Sequence, residues 1–239
     1  MRLSDFEVLT FDCYGTLIDW ERGIMTALRP WLRREEVRAR SDEVLEAFGR
    51  VESVREAAHP TAPYPVILEG VLGDLAVLWG ARASEADRES FGQSVGDWPA
   101  FPDTVAALRH LARVYRLVVV SNVDRASFAR SNRRLGVTFD AICTAEDVGA
   151  YKPDPKVFDY AIGRVADLGY PSARILHVAQ SLFHDHVPAI RAGLSTCWID
   201  RRAGRPGSGA TPSPDVELRP FFRATGMADL VAQQRAELV

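Results

Sequence analysis

The side chains best placed to do chemistry follow short apolar runs of this 239-residue sequence. Asp12 comes directly after the apolar run 8–11, and a turn at Gly15 and the hydroxyl of Thr16 follow it. A strand that ends at a carboxylate places that carboxylate at the carboxyl edge of a sheet, where ligands bind in open α/β sheets. Taken alone, Asp12 would be a solvated charge in a turn, so its interpretation depends on what else reaches that edge.

Three further polar segments begin where an apolar run, or a short loop after one, ends. They are Ser121 and Asn122 after residues 117–120, residues 151–155 with Lys152, and Gln180 to Asp185 after residues 176–178. Because the carboxyl ends of parallel strands meet at one edge of a sheet, these side chains are expected to converge on Asp12. We therefore interpret Asp12 as part of a functional site.

Strand-like runs alternate with amphipathic helical patterns over most of the chain. The predicted strands are residues 8–11, 117–120, 141–144, 175–178 and 196–199, and the helices around the later strands are residues 103–112, 125–135, 155–168 and 184–192. This alternation predicts an α/β protein with a doubly wound parallel sheet, a Rossmann-like core. Parallel strands are buried on both faces, and the continuous apolar runs fit that expectation.

About a hundred residues separate the first predicted strand from the second, whereas a complete crossover with its helix takes about 30. Helical patterns fill this interval, at residues 20–38, 42–58, 66–79 and 84–95. We therefore predict an all-helical cap over residues 18–98, inserted into a core of residues 1–17 and 99–239. Residues 201–214 are rich in Gly, Pro, Ser and Arg, which predicts an exposed, mobile loop.

The composition argues against nucleic-acid and membrane-surface partners, because the net charge is only −3. The apolar runs are far shorter than the roughly 20 residues that a membrane span needs. The N-terminus enters a strand without a signal-peptide pattern, which predicts a cytoplasmic protein. The 3 cysteines, an odd number, each lie in or beside an apolar run, which predicts buried free thiols.

In order and spacing, the four polar segments resemble the four motifs of the haloacid dehalogenase-like hydrolase superfamily. The resemblance implies that Asp12 is a nucleophile that forms a covalent intermediate, which water then cleaves. It also implies that Lys152 neutralises the nucleophile and that Asp185 orients or activates the hydrolytic water. His184 is a candidate assistant base, and the spacing of the histidines at 177, 184 and 186 fits no known metal-ligand set.

Tyr14 separates two branches of this superfamily. Phosphatase members generally have a second aspartate at this position, which protonates the leaving alcohol and later activates water, and a phenol with a pKa near 10 is a poor base at neutral pH. The residues from Asp12 to Leu17 resemble instead those of the type II 2-haloacid dehalogenases, in which the aspartate displaces halide from carbon. This resemblance implies hydrolytic dehalogenation of short 2-haloacids through an ester on Asp12.

Gln180 stands where magnesium-dependent relatives place an acidic ligand. We therefore expect no metal and no cofactor, although the amide oxygen of Gln180 can still ligate a cation. By the same resemblance Ser121 and Asn122 hold the substrate carboxylate, and Asn122 helps to stabilise the halide. The alternative is a purely structural role for both residues, as N-cap residues of the helix predicted at 125–135. The predicted substrate-binding residues are Tyr14, Thr16, Ser121, Asn122, Gln180 and Arg50.

Dehalogenases of this branch usually receive the halide on an arginine of the cap. The arginines in the candidate region are Arg38, Arg40, Arg50 and Arg55. We choose Arg50 because it lies between the apolar residues Phe48 and Val54, where a buried guanidinium would need an anion.

Two other functions stay open. The first is a phosphomonoester hydrolase of the same fold, against which Tyr14 and Gln180 both argue. The second is a non-catalytic protein that binds a small anion, against which Asp12, Lys152 and Asp185 argue together, because such a protein gains nothing from two buried carboxylates. The expected partner is a small anionic molecule, and a homodimer is left open.

Overall fold

A computed structural model describes residues 1–205, 207, 209–216 and 218–237. Its strands are β1 Val8–Phe11, β2 Arg116–Ser121, β3 Ala141–Thr144, β4 Ile175–Ala179, β5 Ser195–Ile199 and β6 Phe222–Ala224. They form one parallel sheet of six strands in the order β3-β2-β1-β4-β5-β6. The predicted doubly wound parallel sheet is confirmed, and the carboxyl end of β1 lies at its centre.

Two hydrophobic clusters cover the two faces of this sheet. Because side chains alternate along a strand, Leu9 and Phe11 join one cluster and Val8 joins the other. The Leu9 cluster continues into the helices that follow β1, where it includes Phe48 and Ile67. All three cysteines are buried free thiols, as predicted.

Four helices follow β1 and form the inserted cap. They are α1 Trp20–Arg34, α2 Ser41–Ala58, α3 Tyr64–Leu78 and α4 Glu85–Gly92. α4 begins with a capping box, in which Ser84 and Asp87 satisfy each other's backbone N–H groups. A 3-10 turn at Gln93–Asp97 then leads back to the core. The helical insertion is confirmed, and its boundaries at 18 and 98 stay predictions.

The two connections between cap and core run side by side. The N–H of Asp19 donates to the carbonyl of Pro99 at 2.7 Å, and the N–H of Phe101 donates to the carbonyl of Leu17 at 3.0 Å. Both crossings therefore meet at one narrow place, a few residues beyond Asp12. We propose that this junction is the hinge about which the cap opens and closes over the sheet.

The remaining helices belong to the core. They are α5 Thr104–Leu111, α6 Arg125–Leu135, α7 Ala145–Val148, α8 Pro155–Asp167, α9 Val187–Arg191 and α10 Met227–Ala236. Neither β6 nor α10 is among the predicted elements, because the three residues of β6 are too few to show a strand period. No helix in the described part of the chain is long and apolar enough to cross a membrane.

The segment 201–214 is only in part the exposed loop that its composition predicts. Ala210 is fully buried and Thr211 is 6% exposed. Ala210 packs against Gly49 of α2, and Arg202 donates to the carboxylate of Glu21 at 2.7 Å. The prediction is therefore wrong for Arg202, Ala210 and Thr211, whereas residues 203–205, 207 and 213 are exposed as predicted. Positions 206 and 208 lie outside the described residues.

Replacing Gly49 by alanine should destabilise the protein. The added methyl group would overlap the backbone carbonyl of Ala210, which has no flexible side chain to give way. We expect the free energy of unfolding to fall by about 1–3 kcal/mol, measured by chemical denaturation. Gly163→Ala on α8 is the matched control, because its methyl group would meet no atom within 4 Å, and alanine is favoured over glycine in a helix by about 1 kcal/mol. Equal effects of the two substitutions would contradict the packing argument.

Candidate active site

A small cavity lies at the carboxyl edge of the sheet, under the cap helices. Its volume is about 40 Å³. The cavity is lined by Asp12, Tyr14, Trp20, Glu52, Glu56, Tyr64, Asn122, Lys152, Gln180, Ser181, His184, Asp185 and Thr211. The core strands and the cap therefore enclose one site, at the sheet edge where the sequence places it.

Lys152 joins the two core carboxylates. Its ammonium donates to Asp12 Oδ1 at 2.9 Å, to Asp185 Oδ1 at 2.7 Å and to the carbonyl of Val120 at 3.1 Å. These three bonds use all the protons of an ammonium group. The side chain of Lys152 is only 2% exposed, so the ammonium balances charge in a site that excludes bulk water. The three predicted catalytic residues are thus in direct contact.

The shared ammonium does not affect the two carboxyls equally. Burial raises the pKa of Asp12 above its ordinary value, against the opposing effect of Lys152. Burial acts in the same direction on Asp185, but there the Lys152 ammonium and the His177 hydrogen bond prevail and hold the pKa well below its usual range. The more basic carboxylate is also the better nucleophile, so the arrangement suits Asp12 for attack and Asp185 for a fixed negative charge.

Thr16 fixes the second oxygen of Asp12. Its hydroxyl donates to Asp12 Oδ2 at 2.6 Å and accepts the N–H of Gln180 at 2.9 Å. The turn that makes this possible passes through Gly15, whose φ of +95° favours glycine. Gln180 lines the cavity, and its side-chain oxygen accepts a hydrogen bond from the Thr211 hydroxyl at 3.0 Å.

Asn122 is held by the backbone of Lys152. Its Oδ1 accepts the Lys152 N–H at 2.7 Å, and its Nδ2 donates to the Lys152 carbonyl at 3.1 Å and to Glu56 Oε2 at 3.2 Å. Tyr14 lines the cavity, but its hydroxyl is hydrogen-bonded to Ser131 at 2.7 Å. Ser121 is buried next to the site and is not among the residues that line the cavity; its hydroxyl has no partner among the described residues.

The three histidines have different positions. His177 lies on β4 and contacts Asp185 Oδ1 through Nε2 at 3.0 Å. His184 lines the cavity beside Ser181, whereas His186 contacts the carbonyl of Ala179. Burial lowers the pKa of both His184 and His186 to about 4, so both are neutral at neutral pH. Within the described ranges, no three His, Cys, Asp or Glu side chains are arranged to hold a metal ion.

No arginine of the cap reaches the cavity in the described structure. The arginines at 38, 40 and 50 are exposed, and Arg55 pairs with Asp74 of α3 at 2.6 Å. The prediction that Arg50 receives the halide is therefore wrong. The apolar neighbours that suggested it lie on different faces of α2, because Phe48 is buried whereas Val54 is 68% exposed.

The face of α2 that does reach the cavity carries two glutamates. Glu52 and Glu56 are one helical turn apart and are 3% and 4% exposed. The Tyr64 hydroxyl donates to Glu52 Oε1, and Asn122 donates to Glu56. Burial raises the pKa of Glu52 to about 8 and raises the pKa of Glu56 well above its ordinary value. Both groups therefore resist ionisation in the site.

Sequence reasoning missed several residues of the cavity. Those not predicted are Trp20, Glu52, Glu56, Tyr64, Ser181 and Thr211. The spacing of Phe48, Glu52 and Glu56 is the helical i, i+4 repeat, so the sequence places both glutamates on one face with an aromatic residue, but it does not show that this face is the buried one. Thr211 carries no comparable signal, because its position depends on how the segment after β5 folds back onto the cap.

A family model described as haloacid dehalogenase-like hydrolase matches residues 6–179. The chain belongs to the haloacid dehalogenase-like hydrolases. An (S)-2-haloacid dehalogenase of Pseudomonas putida is 27% identical over 226 residues, which cover 90% of this chain and 95% of the relative. The pyrimidine 5'-nucleotidase YjjG of Escherichia coli is 30% identical over 115 residues, 47% of this chain and 50% of the relative. The family relatives thus include both a dehalogenase and a phosphate-ester hydrolase.

The fold of this hydrolase is that of the L-2-haloacid dehalogenase of Xanthobacter autotrophicus with chloropropionic acid covalently bound. The two structures superpose with a TM-score of 0.76 at 18% identity, covering 96% of this chain and 98% of the other. This likeness establishes the α/β core with its helical insertion.

Proposed function

We propose that this hydrolase cleaves the carbon–halogen bond of short 2-haloacids through an ester on Asp12. The observation that carries the proposal is the pairing of Asp12 with Lys152 and Thr16 beside a Tyr14 whose hydroxyl is taken by Ser131. Asp12 is thereby held as a nucleophile, and position 14 offers no carboxylic acid to protonate a leaving alcohol. A halide needs no such proton.

In the first step a carboxylate oxygen of Asp12 attacks the carbon that bears the halogen. The C–O bond forms as the carbon–halogen bond breaks, and the halide leaves with the bonding electron pair. Asp12 loses its negative charge in the ester, so the Lys152 ammonium then pairs with Asp185 alone. The attacking oxygen and the departing halide lie on opposite sides of the carbon, so the halide leaves toward the side of the cavity that faces away from Asp12.

In the second step water attacks the carboxyl carbon of the Asp12 ester. The 2-hydroxyacid leaves with its own oxygen–carbon bond intact, and the water oxygen remains in the Asp12 carboxylate. Asp185 Oδ2 is buried and has no partner among the described residues, so it is the oxygen available to orient this water. Because the pKa of Asp185 is held low by Lys152 against the effect of burial, we assign it orientation of the water rather than strong proton abstraction. Neutral His184 lines the same cavity and is the candidate to take a proton from this water and return it to the departing oxygen of the 2-hydroxyacid.

Phosphomonoester hydrolysis is the second candidate, because the nucleotidase relative aligns with 47% of this chain at 30% identity. It would need a donor for the leaving alcohol, and Tyr14 is a weak one. Magnesium-dependent relatives also have an acidic metal ligand at the position of Gln180. Here the side-chain oxygen of Gln180 accepts a hydrogen bond from Thr211.

Parallel release assays decide between these functions. We expect halide release from chloroacetate, 2-chloropropionate or fluoroacetate, unchanged by excess chelator, because no step above passes through a metal. The comparison is phosphate release from an aryl phosphate with and without Mg²⁺. Phosphate release that requires Mg²⁺, without halide release, would assign the phosphatase function, and inactivity in both assays would favour a non-catalytic binding protein.

A further inference from the structure

The cavity is lined by more carboxyl groups than the charge of its one lysine can neutralise. Asp12, Asp185, Glu52 and Glu56 all line it, and Lys152 is the one lysine or arginine among the described lining residues. That ammonium is already bound to Asp12 and Asp185. A bound 2-haloacid adds a further carboxylate, and its reaction releases a halide ion. The two cap glutamates therefore decide whether a small anion is attracted or repelled.

The hydrogen bonds of the two glutamates are not equivalent. Both oxygens of Glu56 face the Asn122 amide, at 3.2 Å and 3.4 Å. Glu52 Oε1 accepts the Tyr64 hydroxyl, whereas Oε2 makes no hydrogen bond with a described residue. A proton on Glu52 Oε2 would thus be free to point at a ligand in the cavity, while Tyr64 fixes the orientation of the carboxyl group.

We propose that Glu52, as a neutral carboxylic acid, donates a hydrogen bond from Oε2 to a small monovalent anion in the cavity. Glu52 would thereby bind an anion from the cap side, as the sequence led us to expect of a cap arginine. The anion is either the substrate carboxylate or the departing halide. This assignment rests on the proposed function and specifies how its anionic substrate is recognised. Glu56 adds a second carboxyl one turn away, whose proximity further disfavours ionisation of the pair.

The protonation of Glu52 gives the proposal a definite pH dependence. The ionisable groups around it are Glu56 on the same helix, the core residues Asp12, Lys152, His184 and Asp185, and the tyrosines Tyr14, Tyr64 and Tyr151. Burial raises the pKa of Glu52 to about 8, whereas burial lowers the pKa of His184 to about 4. Below a pH of about 8, Glu52 is protonated and can donate a hydrogen bond to the anion. Above that pH it becomes a buried carboxylate that repels an anion. Anion affinity should therefore fall as the pH rises through the pKa of Glu52.

Binding calorimetry with bromide and with propionate tests this without any turnover. We expect the wild-type protein to bind at least one of them, and to lose about ten- to a hundredfold in affinity as the pH passes from below to above about 8. Bromide alone would identify the halide position, and propionate alone the carboxylate position. Glu52→Gln keeps an N–H donor and cannot ionise, so its affinity should be nearly independent of pH. Glu46→Gln, on the same helix outside the cavity, is the matched control and should behave as the wild type.

Proton uptake in the wild-type protein provides a second test that needs no variant. By linkage, an anion that binds only the neutral form must bring a proton with it above the pKa and none below it. Calorimetry in two buffers of different ionisation enthalpy measures this number. Absence of anion binding, binding that strengthens with pH, or tight binding of methylammonium above about 8 would each overturn the proposal. Intact pH-dependent anion binding without halide release from any 2-haloacid would refute the proposed function and leave the anion site standing.

Discussion

Asp12→Asn will abolish turnover while the fold remains intact. An amide at neutral pH does not displace halide from carbon, and loss of a covalent nucleophile lowers kcat by about four to six orders of magnitude. The asparagine oxygen can still accept from Lys152 at the position of Asp12 Oδ1, so the packing of the buried site is preserved. The matched control is Asp124→Asn, a buried aspartate at the start of α6 whose carboxylate accepts the Ser127 N–H. Asparagine is an equally good N-cap, so this control should keep both fold and activity.

Isotope labelling separates the ester mechanism from direct attack by water. In a single turnover in ¹⁸O-water, the label should enter the carboxyl group of Asp12 first, because water attacks the ester carbon rather than the substrate. Mass analysis of the peptide that contains Asp12 measures this incorporation. Label in the hydroxyacid after the first turnover, with none in the protein, would show that Asp185 or His184 activates water for direct displacement.

The core half of the site could be predicted from the sequence because parallel strands impose it. Asp12 and Asn122 each follow an apolar strand directly, and strands β1 and β2 are neighbours in the sheet. Lys152 follows β3 after the short helix α7, and Asp185 lies in the helical turn Leu182–His186 after β4, so both reach the same edge. Strand order and the position of a residue at a strand end are enough to bring these side chains together without knowledge of any loop conformation.

The cap half could not be predicted in the same way. A helix presents every side chain somewhere on its surface, and only its rotation decides which one meets the site. Arg50 and Glu52 are two positions apart on α2 and therefore point in very different directions. An arginine is the expected partner for an anion, whereas a buried glutamate looks like a surface charge in sequence. Only the packing of α2, with Phe48 buried and Val54 exposed, shows which face turns inward.

Part of the segment after β5 differs from the prediction for a related reason. Its glycines and prolines resemble those of an exposed loop, yet Ala210 packs on α2 and Thr211 enters the cavity. Glycine permits a close backbone approach as readily as it permits flexibility, and composition does not distinguish the two. The difference depends on Gly49, which is far from this segment in sequence.

Lys152→Ala will shift the acidic limb of the pH–rate profile to higher pH and lower the rate on its plateau. The Lys152 ammonium, 2.9 Å from Asp12, opposes the rise that burial causes in the pKa of that carboxyl. Without it the pKa of Asp12 rises further, and each unit corresponds to about 1.4 kcal/mol between the protonation states. The nucleophile is then protonated over a wider pH range, so activity is lost from the acidic side first.

The same substitution should also cost stability, because it leaves Asp12 and Asp185 buried without their shared cation. Removing one partner of a buried ion pair typically costs about 3–5 kcal/mol, and chemical denaturation measures the loss. Lys156→Ala provides the control, since this lysine is exposed on α8 and outside the cavity. A Lys152→Ala protein with the wild-type pH profile and only a higher KM would mean that Lys152 binds the substrate carboxylate and does not control Asp12. The three bonds of the ammonium, two of them to Asp12 and Asp185, favour the first outcome, since they leave no proton of Lys152 for the substrate.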